Sequence, residues 1–325
     1  MNANRRDLVL GMAATGVYAG MAGSSAGAAS PSFFRGLFPI AQTPFTPADK
    51  LDLVALARQV DFCRRTGVPG LIWPQLASDW EMLDDAERLA GAETLLQAAK
   101  GTPVRVVIGV QARDGKLSTA QRFATHAAAH GAPAIISLPP GGADEDAMAA
   151  YYKAVGASVP LPLVLQTQKT MSVDLVDKVY QQVPTLGCIK DEAGEPLDRI
   201  GPIRKLTDGK VAIFAGKGCV AMLNEMMLGF DGYCPSMFCA DIFQRTFELW
   251  NAGRRKEATE MFGRIMALRS IPGVMPYLMI LRGIFPADVG YRNPPGRKKK
   301  PVALSEADKA LVHQTYDAVI RPYAR

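Results

Sequence analysis

The chain has 325 residues, 48% of them hydrophobic, with a formal net charge of +6, a pI of about 9.0 and a mean hydropathy of +0.04. That is ample apolar sequence for one large core or two domains. The basic residues form no stripe apart from Arg297-Lys-Lys-Lys300, which follows Asn293-Pro-Pro-Gly296 and reads as a solvated loop; no aromatic-rich basic motif accompanies it, so nucleic acid is not indicated as a partner.

Residues 1–30 read as an export signal rather than as part of the fold. Arg5-Arg6 precede a weakly apolar run from Leu8 to Met21, and small residues follow up to Ala28-Ala29. The paired arginines and the Gly/Ala-rich run point to a twin-arginine signal and a periplasmic protein, with an ordinary secretory signal as the alternative. The run is too short and broken for a membrane span, and none is expected in the mature chain. Cys63, Cys188, Cys219, Cys234 and Cys239 are odd in number, scattered and without a CxxC pair, so neither a disulfide framework nor a zinc site is expected. Export of an already folded chain accommodates free thiols.

From residue 31 onward, short apolar runs alternate with helical patterns. Leu37 to Ile40 is the first strand, and Asp52 to Arg65 the first helix, with Leu53, Leu56, Val60 and Cys63 on one face. Strands then follow at Gly70–Trp73, Val104–Val110, Ala134–Leu138, Pro162–Gln166, Leu186–Lys190, Val211–Phe214 and Gly232–Cys234. Helices are expected between them at Asp84–Ala99, Leu117–His130, Asp144–Ala157, from the cap Ser172 to Gln182, at Leu197–Leu206 and Cys219–Leu228, and after them at Ala240–Ala252. Eight βα units spaced by about 25–30 residues predict an α/β fold, a (β/α)8 TIM barrel over 31–252, since such barrels run to about 250 residues. Continuous apolar strands fit a parallel sheet buried on both faces. A doubly wound open sheet is the runner-up, but no Gly-rich dinucleotide fingerprint follows the first strand. Residues 253–325 predict a C-terminal helical extension, with helices at Lys256–Leu268, Met275–Leu281 and Glu306–Val319.

A barrel of this kind carries its site at the C-terminal ends of the strands. The candidates there are Thr43, Pro74 to Asp79, Gln111, Pro139-Pro140, Gln166, Lys190, Gly216 and Cys234. Lys190 is distinctive. It ends an apolar run, and strand alternation puts Cys188 and Lys190 on one side and Ile189 on the other. A lysine at the barrel mouth is poorly hydrated, which disfavours its charged form, and a neutral amine can attack a carbonyl to give a Schiff base. The plain alternative is a strand-end lysine whose ammonium snorkels to water. His126 and His130 have metal-pair spacing, but no third ligand is evident and their helix belongs on the exterior, so a solvated pair is expected. Glu225 reads as a helix-surface residue, and Asp191-Glu192 as setting the loop after the sixth strand.

These residues carry a resemblance. Gly36 to Phe45 with its Thr-Pro-Phe turn, Leu83-Asp-Asp-Ala-Glu-Arg88, Gly187-Cys-Ile-Lys-Asp-Glu-Ala-Gly194 and Gly229-Phe-Asp-Gly232 resemble, in order, elements of the dihydrodipicolinate synthase / N-acetylneuraminate lyase family, class I aldolases acting on pyruvate and related 2-oxo acids. The resemblance implies Lys190 as the Schiff-base lysine, no cofactor or metal, and a homo-oligomer, tetramer or dimer. It also shows losses. The family's carboxylate-binding Gly-Thr-Thr-Gly-Glu falls on Gln75-Leu76-Ala77-Ser78-Asp79, its catalytic tyrosine on Gln166, its tyrosine pair on Gly141-Gly142 and a serine on Pro235. Gln166 has no titratable proton; it can hold a water or a carbonyl oxygen. The substrate-binding candidates are therefore Gln75, Leu76, Ala77, Asp79, Gly216 and Cys234, with Lys190 and Gln166 at the chemistry. Lys217 is a possible carboxylate partner, and Trp73 and Trp80 are possible lining. The expectation is a lyase of aldolase or dehydratase type on a 2-oxo acid, not a standard synthase. The competing reading is a barrel that binds a small ligand without turnover.

Overall fold

The structure, a computed structural model, describes residues 33–292 and 304–325. The export-signal reading at 1–30 and the basic run at 297–300 lie outside them. Eight parallel strands alternate with helices: β1 Gly36–Leu37, α1 Leu53–Thr66, β2 Gly70–Trp73, α2 Asp85–Ala99, β3 Arg105–Gly109, α3 Leu117–Ala129, β4 Ala134–Ser137, α4 Glu145–Ser158, β5 Leu163–Gln166, α5 Val173–Gln182, β6 Leu186–Asp191, α6 Pro196–Leu206, β7 Ala212–Ala215, α7 Met222–Met227, β8 Gly232–Tyr233 and α8 Ala240–Asn251. From β2 to β8 each strand pairs with the next in sequence, and β1 pairs with β8. Ile40 bridges to both Ile72 and Ser236, which closes the ring into a TIM barrel. The helices α9 Arg255–Arg269, α10 Val274–Leu281 and α11 Glu306–Val319 follow. No single helix among the described residues is long and apolar enough to cross a membrane.

The alternation of strand side chains builds two cores. Ile72, Val107, Ile136, Val164, Cys188 and Phe214 point into the barrel, whereas Trp73, Ile108, Ile135, Leu165, Ile189 and Ile213 pack in the larger cluster that includes the helices. Inside, the rings of Phe34, Phe38 and Phe214 lie 5.4–6.2 Å apart. They fit because β2 and β8 present glycines to them: a Cβ on Gly70 would enter the Phe38 ring, and one on Gly232 the Phe214 ring.

Local signals set the helix starts. Asp52, Asp84, Asp144 and Ser172 each accept a hydrogen bond from the backbone N–H three residues on, a cap that contributes about 1 kcal/mol. The seventh helix is shorter than its sequence suggests. Gly218 and Cys219 adopt φ of +68° and +57°, so the chain makes a tight 3-10 turn over Lys217–Cys219 and α7 begins only at Met222.

Candidate active site

Strand β6 delivers Lys190 to the barrel interior. Its register places Lys190 beside Gln166 of β5 and Phe214 of β7. Cys188, two residues earlier, lies in the inner core, and Ile189 lies in the outer one. The Lys190 side chain is 4% exposed, so it does not snorkel to solvent. Its Nζ instead donates to Glu192 Oε2 at 2.7 Å.

Glu192 departs from its expected loop-setting role. The inner-facing period of β6 continues past the strand end, through 188 and 190 to 192, and brings this carboxylate back to the amine. Glu192 is held from three sides. Gln166 Nε2 donates to Oε2 at 2.6 Å, and the Lys217 backbone N–H donates to Oε1 at 2.7 Å. Gly216 supplies the room, since a Cβ there would collide with the carboxylate. Burial pushes the Glu192 carboxyl up, but the Lys190 charge and these hydrogen bonds outweigh it and hold the carboxyl below its ordinary range. Asp191 does set the loop. It points the other way, where Thr167 Oγ1 donates to its Oδ1 at 2.5 Å and Arg199 Nε to its Oδ2 at 2.9 Å.

The remaining candidates divide. Cys234 lies in the inner core; burial pushes its thiol up to about 12, against the lowering charge of Lys190. On the turn after β2, Gln75 and Ser78 close on each other through Gln75 N–H to Ser78 Oγ at 2.5 Å and Ser78 Oγ to Gln75 O at 2.7 Å. Leu76, Ala77 and Asp79 are exposed on this turn. Leu76 borders a cleft of about 400 Å³ at the barrel mouth together with Trp80, Gln111, Arg113, Gly141 and Lys169, but Ala77, Asp79 and Lys190 do not line it. Open space surrounds Gly141 and Gly142 where a Cβ would stand. Trp80 thus serves as lining, while Trp73 is packing: its indole N–H donates to Thr43 Oγ1 at 3.1 Å. The Lys217 ammonium turns to the Gly194 carbonyl at 2.6 Å, so its backbone rather than its charge serves the site. Gln75 Nε2, Gln111 Oε1 and Gln166 Oε1 are buried at the ends of β2, β3 and β5 without a hydrogen-bond partner. Buried amide atoms are rarely left so, and a polar ligand or water would satisfy them.

Two further sequence expectations are corrected. His126 and His130 lie on α3 as expected, but Glu93 of α2 joins them, with its Oε1 2.8 Å from His126 Nε2 and 3.6 Å from His130 Nε2. Glu225 is buried on α7 rather than exposed, with Oε2 unpartnered. Burial pushes its carboxyl up to about 7, against the lowering charge of Lys217. The folded state therefore holds a proton that the unfolded chain releases near pH 4.5. Stability from this group is complete below about 4.5 and is lost as pH rises through about 7. Glu225→Gln is expected to remove this loss and to be the more stable form at pH 8 by on the order of 2 kcal/mol. Urea midpoints of both proteins at pH 5 and 8 check it; an unchanged difference between the two pH values would refute it.

A family model described as the Dihydrodipicolinate synthetase family matches residues 33–283. The chain belongs to this family. Among its relatives is the Escherichia coli (strain K12) protein named Probable 2-dehydro-3-deoxy-D-pentonate aldolase YjhH, 24% identical over 271 residues, which cover 77% of this chain and 85% of the relative. L-2-keto-3-deoxyarabonate dehydratase of Azospirillum brasilense is 23% identical over 234 residues, 69% of this chain and 75% of the relative. The crystal structure of dihydrodipicolinate synthase from Rhodopseudomonas palustris superposes with a TM-score of 0.78 at 22% identity, covering 89% of this chain and 99% of that one; this likeness establishes the shared fold. The relatives' names are those of an aldolase and a dehydratase, and the chain is a lyase of this family.

Proposed function

We propose that this lyase acts through a Schiff base between Lys190 and pyruvate or a related 2-oxo acid, in an aldolase or dehydratase reaction distinct from dihydrodipicolinate synthesis. The observation that carries this reading is the inward Lys190 amine at the C-terminal end of β6, 4% exposed and beside Gln166. A protonated imine at that position withdraws electrons from the substrate's C3, which promotes either cleavage of the C3–C4 bond or loss of a C4 substituent. Three other features support a small acid as ligand. The mouth cleft is lined by Arg113 and Lys169 against one acid, Glu81; the unpaired Gln75 Nε2 is a donor and the unpaired Gln111 and Gln166 oxygens are acceptors for substrate hydroxyls; and open space surrounds Gly141 and Gly142. The relatives named for 2-dehydro-3-deoxy and 2-keto-3-deoxy acids make such sugar acids the first compounds to test. Export to the periplasm and assembly into a homo-oligomer complete the proposal.

One observation favours a ligand-binding barrel without turnover: the Lys190 amine is committed to Glu192 and does not line the mouth cleft. Incubation with a panel of 2-oxo acids, including pyruvate and 2-keto-3-deoxy sugar acids, followed by borohydride and intact-mass measurement, separates the readings. A reduced adduct mapped to Lys190 is the expected result, followed by product formation from at least one sugar acid. A protein that traps none of the panel is not a Schiff-base enzyme of this kind. One that traps but never turns over is the binding barrel.

A further inference from the structure

We propose that Glu192 is the proton carrier of the Lys190 site and takes the place of the absent tyrosine relay; this rests on the Schiff-base reading above. Among the described residues, Glu192 is the carboxylate in hydrogen-bond contact with the Lys190 amine, at 2.7 Å. Its side chain is 16% exposed against 4% for Lys190, so it joins a covered amine to solvent. The contacts from Gln166 Nε2 and the Lys217 N–H fix its orientation, and Gly216 leaves it space. Reach, orientation and exchange with water are the geometric features that a general base needs.

The other proton-bearing groups nearby are disposed differently. Gln166 has no titratable proton. The Tyr152 phenol donates to the backbone carbonyls of Ser137 and Gln166 at 3.0 and 3.1 Å and is fully buried. Asp191 is engaged by Thr167 and Arg199 on the opposite face of β6. Cys188, Cys219 and Cys234 are buried thiols, and burial pushes each above its ordinary value, leaving them poor proton acceptors.

The steps balance with Glu192 as sole carrier. The Lys190 ammonium gives a proton to the Glu192 carboxylate, and the free amine attacks the carbonyl carbon of the 2-oxo acid. The carbonyl oxygen takes that proton from Glu192. Glu192 then removes a second proton from the nitrogen and delivers it to the departing hydroxyl. Water leaves, the C=N bond forms as a protonated imine, and Glu192 is again a carboxylate. In the next step Glu192 takes a proton from C3, the C–H electron pair becomes the C2–C3 double bond, and the C=N π pair moves to the nitrogen to give a neutral enamine. In this scheme Gln166 Nε2 positions Glu192, and its Oε1 remains open to a polar ligand or water.

The test uses pyruvate and the full chain. In D2O, proton NMR follows loss of the C3 hydrogens, while borohydride trapping in parallel counts the Lys190 adduct. The wild type is expected to trap pyruvate and to exchange C3. Glu192→Gln is expected to retain a trappable adduct on long incubation, with exchange per adduct reduced at least about a hundredfold, the lower end of a general-base contribution. Exchange per adduct within tenfold of wild type overturns the role. If E192Q forms no adduct, Glu192→Ala with added formate decides. Return of adduct and exchange with formate supports Glu192 as the carrier, and no return overturns it. A wild type that traps neither pyruvate nor any other 2-oxo acid instead overturns the Schiff-base reading, so the two failures are distinguishable.

Discussion

Lys190→Met is expected to lose every borohydride-trappable adduct and, at pH 8, about 3 kcal/mol of stability. The substitution keeps the length and bulk of the buried stem but removes the cation that Glu192 faces at 2.7 Å. Removing one partner of a buried ion pair typically costs about 3–5 kcal/mol. The lower end applies because Glu192, unlike Lys190, is partly exposed. The sign of the pH dependence also follows. In the wild type the charge of Lys190 helps to overcome burial and hold the Glu192 carboxyl low. In the variant burial is opposed only by the hydrogen bonds from Lys217 and Gln166, so the folded-state carboxyl rises from its wild-type position. K190M should then be least impaired relative to wild type in acid, where Glu192 is protonated and the ion pair contributes nothing, and more impaired as pH rises and the carboxyl ionises. The double variant Lys190→Met/Glu192→Gln, which buries no charge, should recover most of the loss at pH 8. Urea denaturation at pH 5 and 8, with intact-mass trapping on the same samples, measures all three. A K190M protein as stable as wild type at both pH values would mean that the pair carries no net energy, and adducts persisting in K190M would place the nucleophile elsewhere.

The pairing of Lys190 with Glu192 also shows which parts of this molecule can be read from its sequence. The barrel was legible because its strands are short apolar runs with turn residues between them, and the cores they build are continuous. Period-two alternation put Cys188 and Lys190 on one face of β6 and Ile189 on the other, and the structure shows that the face with Cys188 is the inner one. The same alternation, carried two residues further, reaches Glu192, but a Lys-Asp-x-x-Gly pattern draws attention to Asp191 and the glycine. Asp191 proves to anchor the following loop through Arg199 and Thr167. Glu225 was misread for a different reason. Helix α7 has only six residues, too few for a hydrophobic face to declare itself, and its burial depends on neighbours distant in sequence. Asp79 matches the place of the family's acid in the turn; it stands exposed there with a φ of +50°, between Leu76 and Trp80, which border the mouth cleft. The lesson is physical. Alternation fixes the face of a strand residue, whereas the direction of a loop side chain depends on contacts that the local sequence does not contain.

The C-terminal helices are tied to the barrel by a second charged pair, and breaking it is expected to cost about 3–5 kcal/mol. Asp241, in the first turn of α8, receives both arms of Arg282 at the end of α10: Nη1 to Oδ1 at 2.7 Å and Nη2 to Oδ2 at 2.6 Å. The side chains are 0% and 4% exposed. Arg282 Nη1 also donates to the Phe238 carbonyl at 2.8 Å, its guanidinium lies over the Phe62 ring, and the Arg325 backbone N–H reaches Asp241 at 3.2 Å. Asp241 thus joins α8, α10 and the chain end at one point, directly after the turn that follows β8. Asp241→Ala leaves the guanidinium buried without its counter-ion, since burial opposes its charge and Asp241 supplies the compensation. The expected result is a lower urea midpoint, with the double variant Asp241→Leu/Arg282→Met recovering much of the loss because it buries no charge. A two-dimensional test separates this structural role from one in the chemistry. The pair makes no contact with Lys190 or Glu192, so D241A held well below its unfolding transition should form the Lys190 adduct with pyruvate as fully as the wild type. A destabilisation under 1 kcal/mol would mean that the C-terminal helices are held by their apolar packing alone, and an adduct lost while the protein remains folded would mean that the end of β8 relays their position to the active site.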